Sequence, residues 1–427
     1  MSNCKDSTDS LESRFVEEGS RAYLDEIAHQ GARQMLIEAL EKEVEEYVNK
    51  HRDKTDEDGH QKVVKNGKSH HERTIQTGAG PIKLNQPRVD DQREGEKFIS
   101  KILPPYMRRS PGIEELIPAL YLHGVSTGDM SEALEALLGP DVGGLSPANV
   151  VRLKESWEEE YEEWAQRDLS DKRYVYLWAD GLHFNVRLED DRPCMLVVVG
   201  TLEDGTKELV ALKAGVRESK LSWKEVLLDM RRRGLEEAPE LIVADGGLGL
   251  WAAKPEVFPE TKEQLCWVHK KANVLNKLPK KLHSEAKDVL SEMYQAPTKE
   301  DALEAYDHFI ELFEAKYPKA CNTLARNKDR LFTFYEFPAE HWVHLKSTNP
   351  IESTFATVKH RHRQTKGCGS KIATLTMAFK MARKAEKSWR RINGYDQIGK
   401  VIRGVKFRDG EEVERQEKQE TDQELAA

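Results

Sequence analysis

Nowhere in its 427 residues does this chain carry an apolar run approaching the length of about 18 that a membrane helix needs. The first thirty residues are polar and charged, which argues against a secretion signal. Cysteine is scarce and odd in number, with five residues at positions 4, 194, 266, 321 and 368. Their scattered spacing excludes a disulfide framework and predicts a reducing compartment. A cytoplasmic protein that makes no use of a membrane is expected, and one that binds DNA would sit on the nucleoid. Positive charge is short overall, since the formal net charge is −9. Taken alone, that balance speaks against a nucleic-acid partner.

Net charge hides distribution, however, and distribution decides binding. Lys359 to Arg391 holds eleven Lys/Arg against one acid, Glu386. Acids gather elsewhere, at Glu155 to Glu163 and beyond Asp409. The chain is segregated by sign, and its basic block is dense enough to follow a phosphate backbone.

The length predicts several domains. Residues 1–14 are polar and read as disordered. Residues 15–166 read as a mostly helical DNA-binding region. Apolar residues from Tyr23 to Val48 recur at three-to-four spacing, as in one or two amphipathic helices. Residues 52–72 read as a polar loop, and Thr74 to Leu84 as a hairpin around a glycine turn. Residues 109–166 read as a helical cluster. Its short helix, Gly124 turn, second helix from Asp129 and third helix from Ser146-Pro147 are compatible with a helix-turn-helix.

From Arg173 the texture changes to strands. Tyr174–Trp178, Phe184–Val186, Met195–Val199 and Leu209–Lys213 precede a helix over Trp223–Gly234 and a buried strand over Leu241–Ala244. A helix from Gly249 and a strand near Gln264–Val268 complete the stretch 171–269. Residues 270–345 read as a helical insertion. Residues 346–403 read as one or two basic helices broken at Gly367-Cys-Gly369, and 404–427 as a charged, disordered tail.

Three carboxylates stand out. Asp180 interrupts an apolar strand that continues through Phe184, and a buried carboxylate without a partner is costly. Asp245 opens Asp245-Gly-Gly-Leu-Gly249 where the run Leu241–Ala244 stops. Glu352 ends Ser347-Thr-Asn-Pro-Ile-Glu352 at a helix start. There it also fits the third position of a capping arrangement with Asn349 as cap. Two strand aspartates and a late helical glutamate, in that order, point to an RNase H-like α/β core, with a helical insertion and a mostly helical N-terminal region. Transfer of phosphoryl groups between polynucleotides needs an activated oxygen nucleophile and a stabilised leaving oxygen. Two Mg²⁺ ions, or Mn²⁺ in their place, supply both when held by about three carboxylates. Asp180, Asp245 and Glu352 are therefore the expected catalytic and metal-binding residues. On the helix that Glu352 begins, Lys359 and Arg363 share its face and would run along bound DNA. Cys266-Trp-Val-His269 carries two metal-capable side chains. No second Cys/His pair sits at zinc-site spacing, so a supporting role beside the active centre is favoured.

These residues resemble a known family. Asp245-x₃-Gly249, Phe258-Pro259, Gln264-x-Cys266-x₂-His269 and Asn273 beyond it are similar to the pattern of the mutator-type transposases of bacterial insertion sequences. Asp180 to Arg187 resembles the segment that holds the family's first aspartate. Ser347 to Glu352, followed by Arg361 and Arg363, resembles its glutamate segment. Gly181 and His183 depart from the family's usual alanine and tyrosine. The resemblance spans about residues 20–400. It implies a DDE transposase that binds terminal inverted repeats, exposes 3′ hydroxyls and joins them to target DNA while working as an oligomer. It adds Asn273 to the supporting residues, and Arg187 and Arg361 to the DNA-contacting ones. Two rivals remain: an RNase H-like nuclease without strand transfer, and a catalytically idle DNA-binding regulator, against which the intact carboxylates argue.

Overall fold

The computed structural model describes residues 9–125, 129–138, 147–184, 194–215, 217–364 and 370–413. They fall into two compact units, 1–153 and 154–427. Among them no helix is long and apolar enough to cross a membrane.

The first unit begins with one long helix, α1 (Asp9–Lys50), where the sequence allowed one or two. Four short strands follow: β1 (Val63–Lys68), β2 (Arg73–Thr77), β3 (Gly80–Leu84) and β4 (Pro87–Asp91). β2 and β3 form the expected hairpin, with Ile75 opposite Ile82. β1 pairs antiparallel with β4 inside a stretch that reads as loop. Its sequence, Val63-Val-Lys-Asn-Gly-Lys68, has only two apolar residues, too few for a period to show. Leu40 of α1 packs with Ile75, Ile82, Leu84 and Leu103, so the hairpin's apolar face is covered by the helix. Next come α2 (Pro111–Leu122) and α3 (Met130–Leu138). Pro111 takes the first helical turn, where a missing N–H costs nothing. The caps expected at Ser126 and Ser146 lie outside the described residues.

Helix α4 (Pro147–Ala165) carries the boundary between the units, which falls after Leu153. That is earlier than the 166 expected from composition, because the acidic stretch has an aromatic underside. Trp157, Tyr161 and Trp164 are buried, and the Tyr161 hydroxyl donates to the Leu212 carbonyl at 2.8 Å. The glutamates around them stay largely at the surface.

The second unit is built on a five-stranded mixed sheet of β5 (Tyr174–His183), β6 (Cys194–Leu202), β7 (Lys207–Gly215), β8 (Leu241–Ala244) and β9 (Lys262–Leu265), in the spatial order β7-β6-β5-β8-β9. The first three strands run antiparallel, and β8 and β9 join parallel to β5. β5 is one ten-residue strand through Asp180, and the separate strand expected at Phe184–Val186 is absent at Phe184 and otherwise outside the described residues. Residues 174–179 are all buried, as expected of a central strand covered on both faces. Helix α5 (Lys220–Arg232) packs on β7 and on α6 (Leu248–Val257).

A helical segment follows, comprising α7 (Trp267–Leu275), α8 (His283–Gln295), α9 (Lys299–Phe313), α10 (Pro318–Ala325) and α11 (Trp342–Leu345). α7 corrects the strand expected to reach Val268. The strand stops at Leu265, so His269 is helical. α12 (Asn349–Gln364) packs on β5 and β6, and α13 (Lys371–Glu386) packs on β7. A short α14 (Ile398–Ile402) precedes the two-residue strands β10 (Phe407–Arg408) and β11 (Glu411–Glu412). These two pair around Asp409 and Gly410, both at positive φ, so the charged tail begins with a hairpin rather than a coil.

The entry to α12 is tied to the central strand through two histidines. The Tyr176 hydroxyl lies 2.7 Å from His341 Nδ1, and Trp178 Nε1 donates to the His344 carbonyl at 2.9 Å. A strand and a helix start separated by about 165 residues are thereby held in register.

Candidate active site

Asp180 and Asp245 are brought together by sheet register. β5 and β8 are parallel neighbours with Ala179 beside Ala244, so each aspartate is the next residue on its strand's path. Asp180 is only 8% exposed, and its Oδ1 accepts the Gly181 N–H at 2.9 Å. Asp245 is half-buried just past the strand end. There its Oδ1 accepts the Gly247 N–H at 2.8 Å and its carbonyl accepts Trp251 Nε1 at 2.7 Å. The Gly247 N–H thus closes a turn that fixes the Asp245 carboxylate.

Glu352 is held against the start of α7. The Trp267 N–H donates to the Lys346 carbonyl at 2.9 Å, fixing the start of α7 against the residues before α12. The Thr348 N–H and hydroxyl both lie 3.4 Å from Cys266 Sγ, and the hydroxyl donates to Glu352 Oε1 at 2.8 Å. Glu352 Oε1 is also 3.8 Å from His269 Nδ1. Cys266, His269 and Glu352 form one tight cluster whose donor atoms all lie within 4.8 Å of one another. Asn349 lies inside the helix rather than at its cap. The Glu352 carboxylate is engaged by Thr348 and faces His269, which differs from the capping arrangement that the sequence also allowed.

Electrostatic coupling runs from the aspartates to Glu352 by way of His269. Burial pushes Asp180 up to about 6, with the Asp245 and Glu218 carboxylates adding to the rise and His269 and Lys359 opposing it. His269 is pushed up to about 9, first by the neighbouring Cys266 sulfur and then by Asp180 and Glu352, against its burial. Its Nδ1 has no hydrogen-bond partner and faces Glu352 Oε1 at 3.8 Å. Asn273 sits one helical turn beyond His269 on α7, exposed.

Glu218 has no signal in the sequence. It precedes Ser219, the cap of α5, whose side chain accepts from Ser222 N–H. Folding lays the Glu218 side chain over Gly181: a Cβ there would come within 2.1 Å of Glu218 Cδ. A Cβ on Gly247 would meet Asp245 Oδ1 at 2.8 Å and Glu218 Oε2 at 3.5 Å. Two glycines therefore make the cradle of a fourth carboxylate, also bonded by His183 Nε2 at 3.1 Å. Gly181 and His183, the two departures from the family pattern, are both among the residues that receive Glu218.

On α12 the exposed face carries Lys359 and Arg363, in line with Glu352. Arg361 is different. It is 3% exposed on the face that buries Phe355 and Val358, which corrects its assignment as a DNA contact. Position 361 lies two residues from both 359 and 363, about 200° around the helix. Arg187 lies outside the described residues.

Asp180, Asp245 and Glu218 thus gather at one end of a mixed α/β sheet, with Glu352 held against Cys266 and His269. The chain matches the model of Transposase, Mutator family, over residues 3–391, and belongs to that family. It is 48% identical over 303 residues to a transposase for insertion sequence element IS6120 of Mycolicibacterium smegmatis, covering 71% of this chain and 93% of that protein. A transposase for insertion sequence element IST2 of Acidithiobacillus ferrooxidans is 47% identical over 288 residues, 66% of this chain and 95% of that protein. More distantly, the transposase for IS256 in transposon Tn4001 of Staphylococcus aureus is 29% identical over 299 residues, 69% and 74% of the two chains.

Proposed function

We propose that this protein is the transposase of an insertion sequence. It binds the element's terminal inverted repeats, cleaves to expose 3′ hydroxyls, and joins those ends to target DNA as a DDE-type polynucleotidyl transferase. The observation that carries the reading is Asp180 set beside Asp245 by the β5–β8 register, with His269 coupled to both Asp180 and Glu352. The sheet order, with three antiparallel strands followed by two parallel ones, supports an RNase H-like core. The relatives' printed roles, all insertion-sequence transposases, support the substrate class.

The chemistry of the donors suits a pair of hard divalent cations. The donor set is rich in carboxylate oxygen, the choice of Mg²⁺ and Mn²⁺. Asp180 is held near 6 by burial, with the Asp245 and Glu218 carboxylates adding to the rise, as a site made to take positive charge would be. Asp180, Asp245 and Glu352 would hold the ions, with Glu218 beside the two aspartates. When bound, such ions activate the attacking oxygen and stabilise the leaving one. The chain itself does the positioning. Asp180 is fixed in a central strand, Asp245 is aimed by its turn, and Glu352 is oriented by Thr348 and His269. Cys266 anchors Thr348, and Lys359 and Arg363 follow the DNA backbone from the face of Glu352. Two ends must be held at once, so an oligomer on DNA is the working form, with 346–403 as the basic part of the core and 270–345 as its insertion.

The direct test is incubation of the protein and Mg²⁺ with DNA that carries the gene's flanking sequences. Nicked 3′ ends and joined products are expected. Nicking without joining would leave a nuclease, and binding without either would leave a regulator.

The first unit, with its own core, is proposed to read the ends, with its helical cluster as the DNA reader. A fragment covering 1–153 is expected to prefer inverted-repeat DNA over random duplex in a gel shift at physiological salt, because base contacts discriminate and phosphate contacts do not. Equal affinity for both would remove the helix-turn-helix assignment.

The α12 face gives a sharper contrast. Lys359→Ala and Arg363→Ala should each weaken binding to every sequence and flatten the salt dependence by about one unit. Arg361→Ala should instead lower the unfolding midpoint, since removing a buried charged side chain leaves its surroundings uncompensated. Binding against salt and urea denaturation on all three variants check this. A wild-type slope for both exposed variants would make the face merely solvated.

A further inference from the structure

A groove of about 660 Å³ opens at Asp245 and runs between α7 and α10 in the helical segment. Its floor is fixed by Lys270, which is buried and donates to the Thr323 and Arg326 carbonyls at 3.0 and 2.7 Å. That lysine ties the end of α10 to α7. The walls carry the exposed cations Lys277, Lys319 and Arg326 and the exposed amides Asn273, Asn276 and Asn322. Among the described residues none of these three cations is in an ion pair, and none of the six side chains hydrogen-bonds within the protein. Elsewhere on this unit comparable cations are matched, as Lys220 and Lys224 are with Glu256, Lys262 with Glu336 and Arg330 with Glu263. The groove's one acidic wall residue is Asp245, at its mouth.

Such a surface suits a polyanion. Cations left without acids keep their full attraction for phosphate, and free amides add hydrogen bonds that carry no sequence preference. Ten residues from Cys266 to Asn276 rise about 15 Å along α7, roughly four base pairs at 3.4 Å each. We infer that this groove holds the sugar–phosphate backbone of the DNA that passes the active centre, so that the helical segment is a DNA-holding surface rather than a spacer. The inference rests on the proposed catalytic role of Asp245 for its direction, but its charge argument stands on the groove alone.

The test uses the full chain carrying Lys277→Gln, Lys319→Gln and Arg326→Gln together, with a Lys220→Gln/Lys224→Gln variant as the control from the matched surface. Binding to end-bearing and random duplexes is measured against salt in EDTA, so that catalysis plays no part. The triple variant should lose at least tenfold in affinity on both duplexes, and its log–log salt slope should fall by about two to three units. The control should keep the wild-type slope, and the triple variant should unfold at the wild-type temperature because its changed residues are exposed. A triple variant with the wild-type slope, or one no weaker than the control, overturns the groove assignment. Asp245→Asn is run beside them for cleavage. If it cleaves normally, the catalytic reading falls while the slope result still judges the groove.

Discussion

Asp180→Asn, Asp245→Asn and Glu352→Gln are each expected to reduce cleavage and joining by roughly 10³-fold or more, while leaving binding to the element ends nearly unchanged. Each change keeps size and removes one carboxylate charge, so the register of β5 with β8 and the contact of α7 with α12 should survive. Double variants should be little worse than single ones, because groups that act as a unit fail together. The Asp180 variant separates charge from packing most cleanly. Its carboxyl is already pushed up to about 6 by burial and by its acidic neighbours, so an uncharged amide there should not destabilise the strand. Cleavage of end-bearing DNA, with gel-shift affinity beside it, checks the set. Normal joining by Glu352→Gln would reduce Glu352 to the structural partner of Thr348 and His269.

Which of these features could be read from sequence depended on how local their cause is. β5 and β8 are continuous apolar runs, and the carboxylates that end or interrupt them stand out against that background. The start of α7 was not legible. Gln264-Leu-Cys-Trp-Val reads as strand, but the Trp267 N–H is taken by Lys346, nearly eighty residues away, and the chain turns helical there. Glu218 was invisible because nothing near it in sequence differs from an ordinary helix entry. Its meaning comes from Gly181 and Gly247, on two other segments. Arg361 misled because a family pattern records that a residue type recurs, not which way it faces. The unpaired cations of the α7–α10 groove were equally hidden, since pairing is decided by neighbours that only the fold supplies.

Gly249→Ala should behave against helix propensity. In an open helical position this substitution stabilises by up to about 1 kcal/mol, because alanine gives up less backbone freedom on folding. Gly249 lies in the first turn of α6, where a Cβ would stand 2.3 Å from the Glu218 carbonyl oxygen and 2.8 Å from the Ser219 carbonyl carbon. These are backbone atoms and cannot rotate aside, so either α6 or the loop before α5 must shift, at a cost of about 1–3 kcal/mol. A shift of either changes the placement of Glu218 relative to Asp180 and Asp245. A displacement of about 1 Å at a reacting centre can cost roughly 10²-fold, so cleavage should fall well beyond what the stability loss explains. Gly246→Ala is the control from the same turn, with nothing within 4 Å of its Cβ, and its stability should match the wild type. Urea midpoints and cleavage rates for both variants decide the matter. If Gly249→Ala is as stable and as active as the wild type, the close approach of α6 to the Glu218 loop does not constrain the centre. The glycine of Asp245-x₃-Gly249 would then need another explanation.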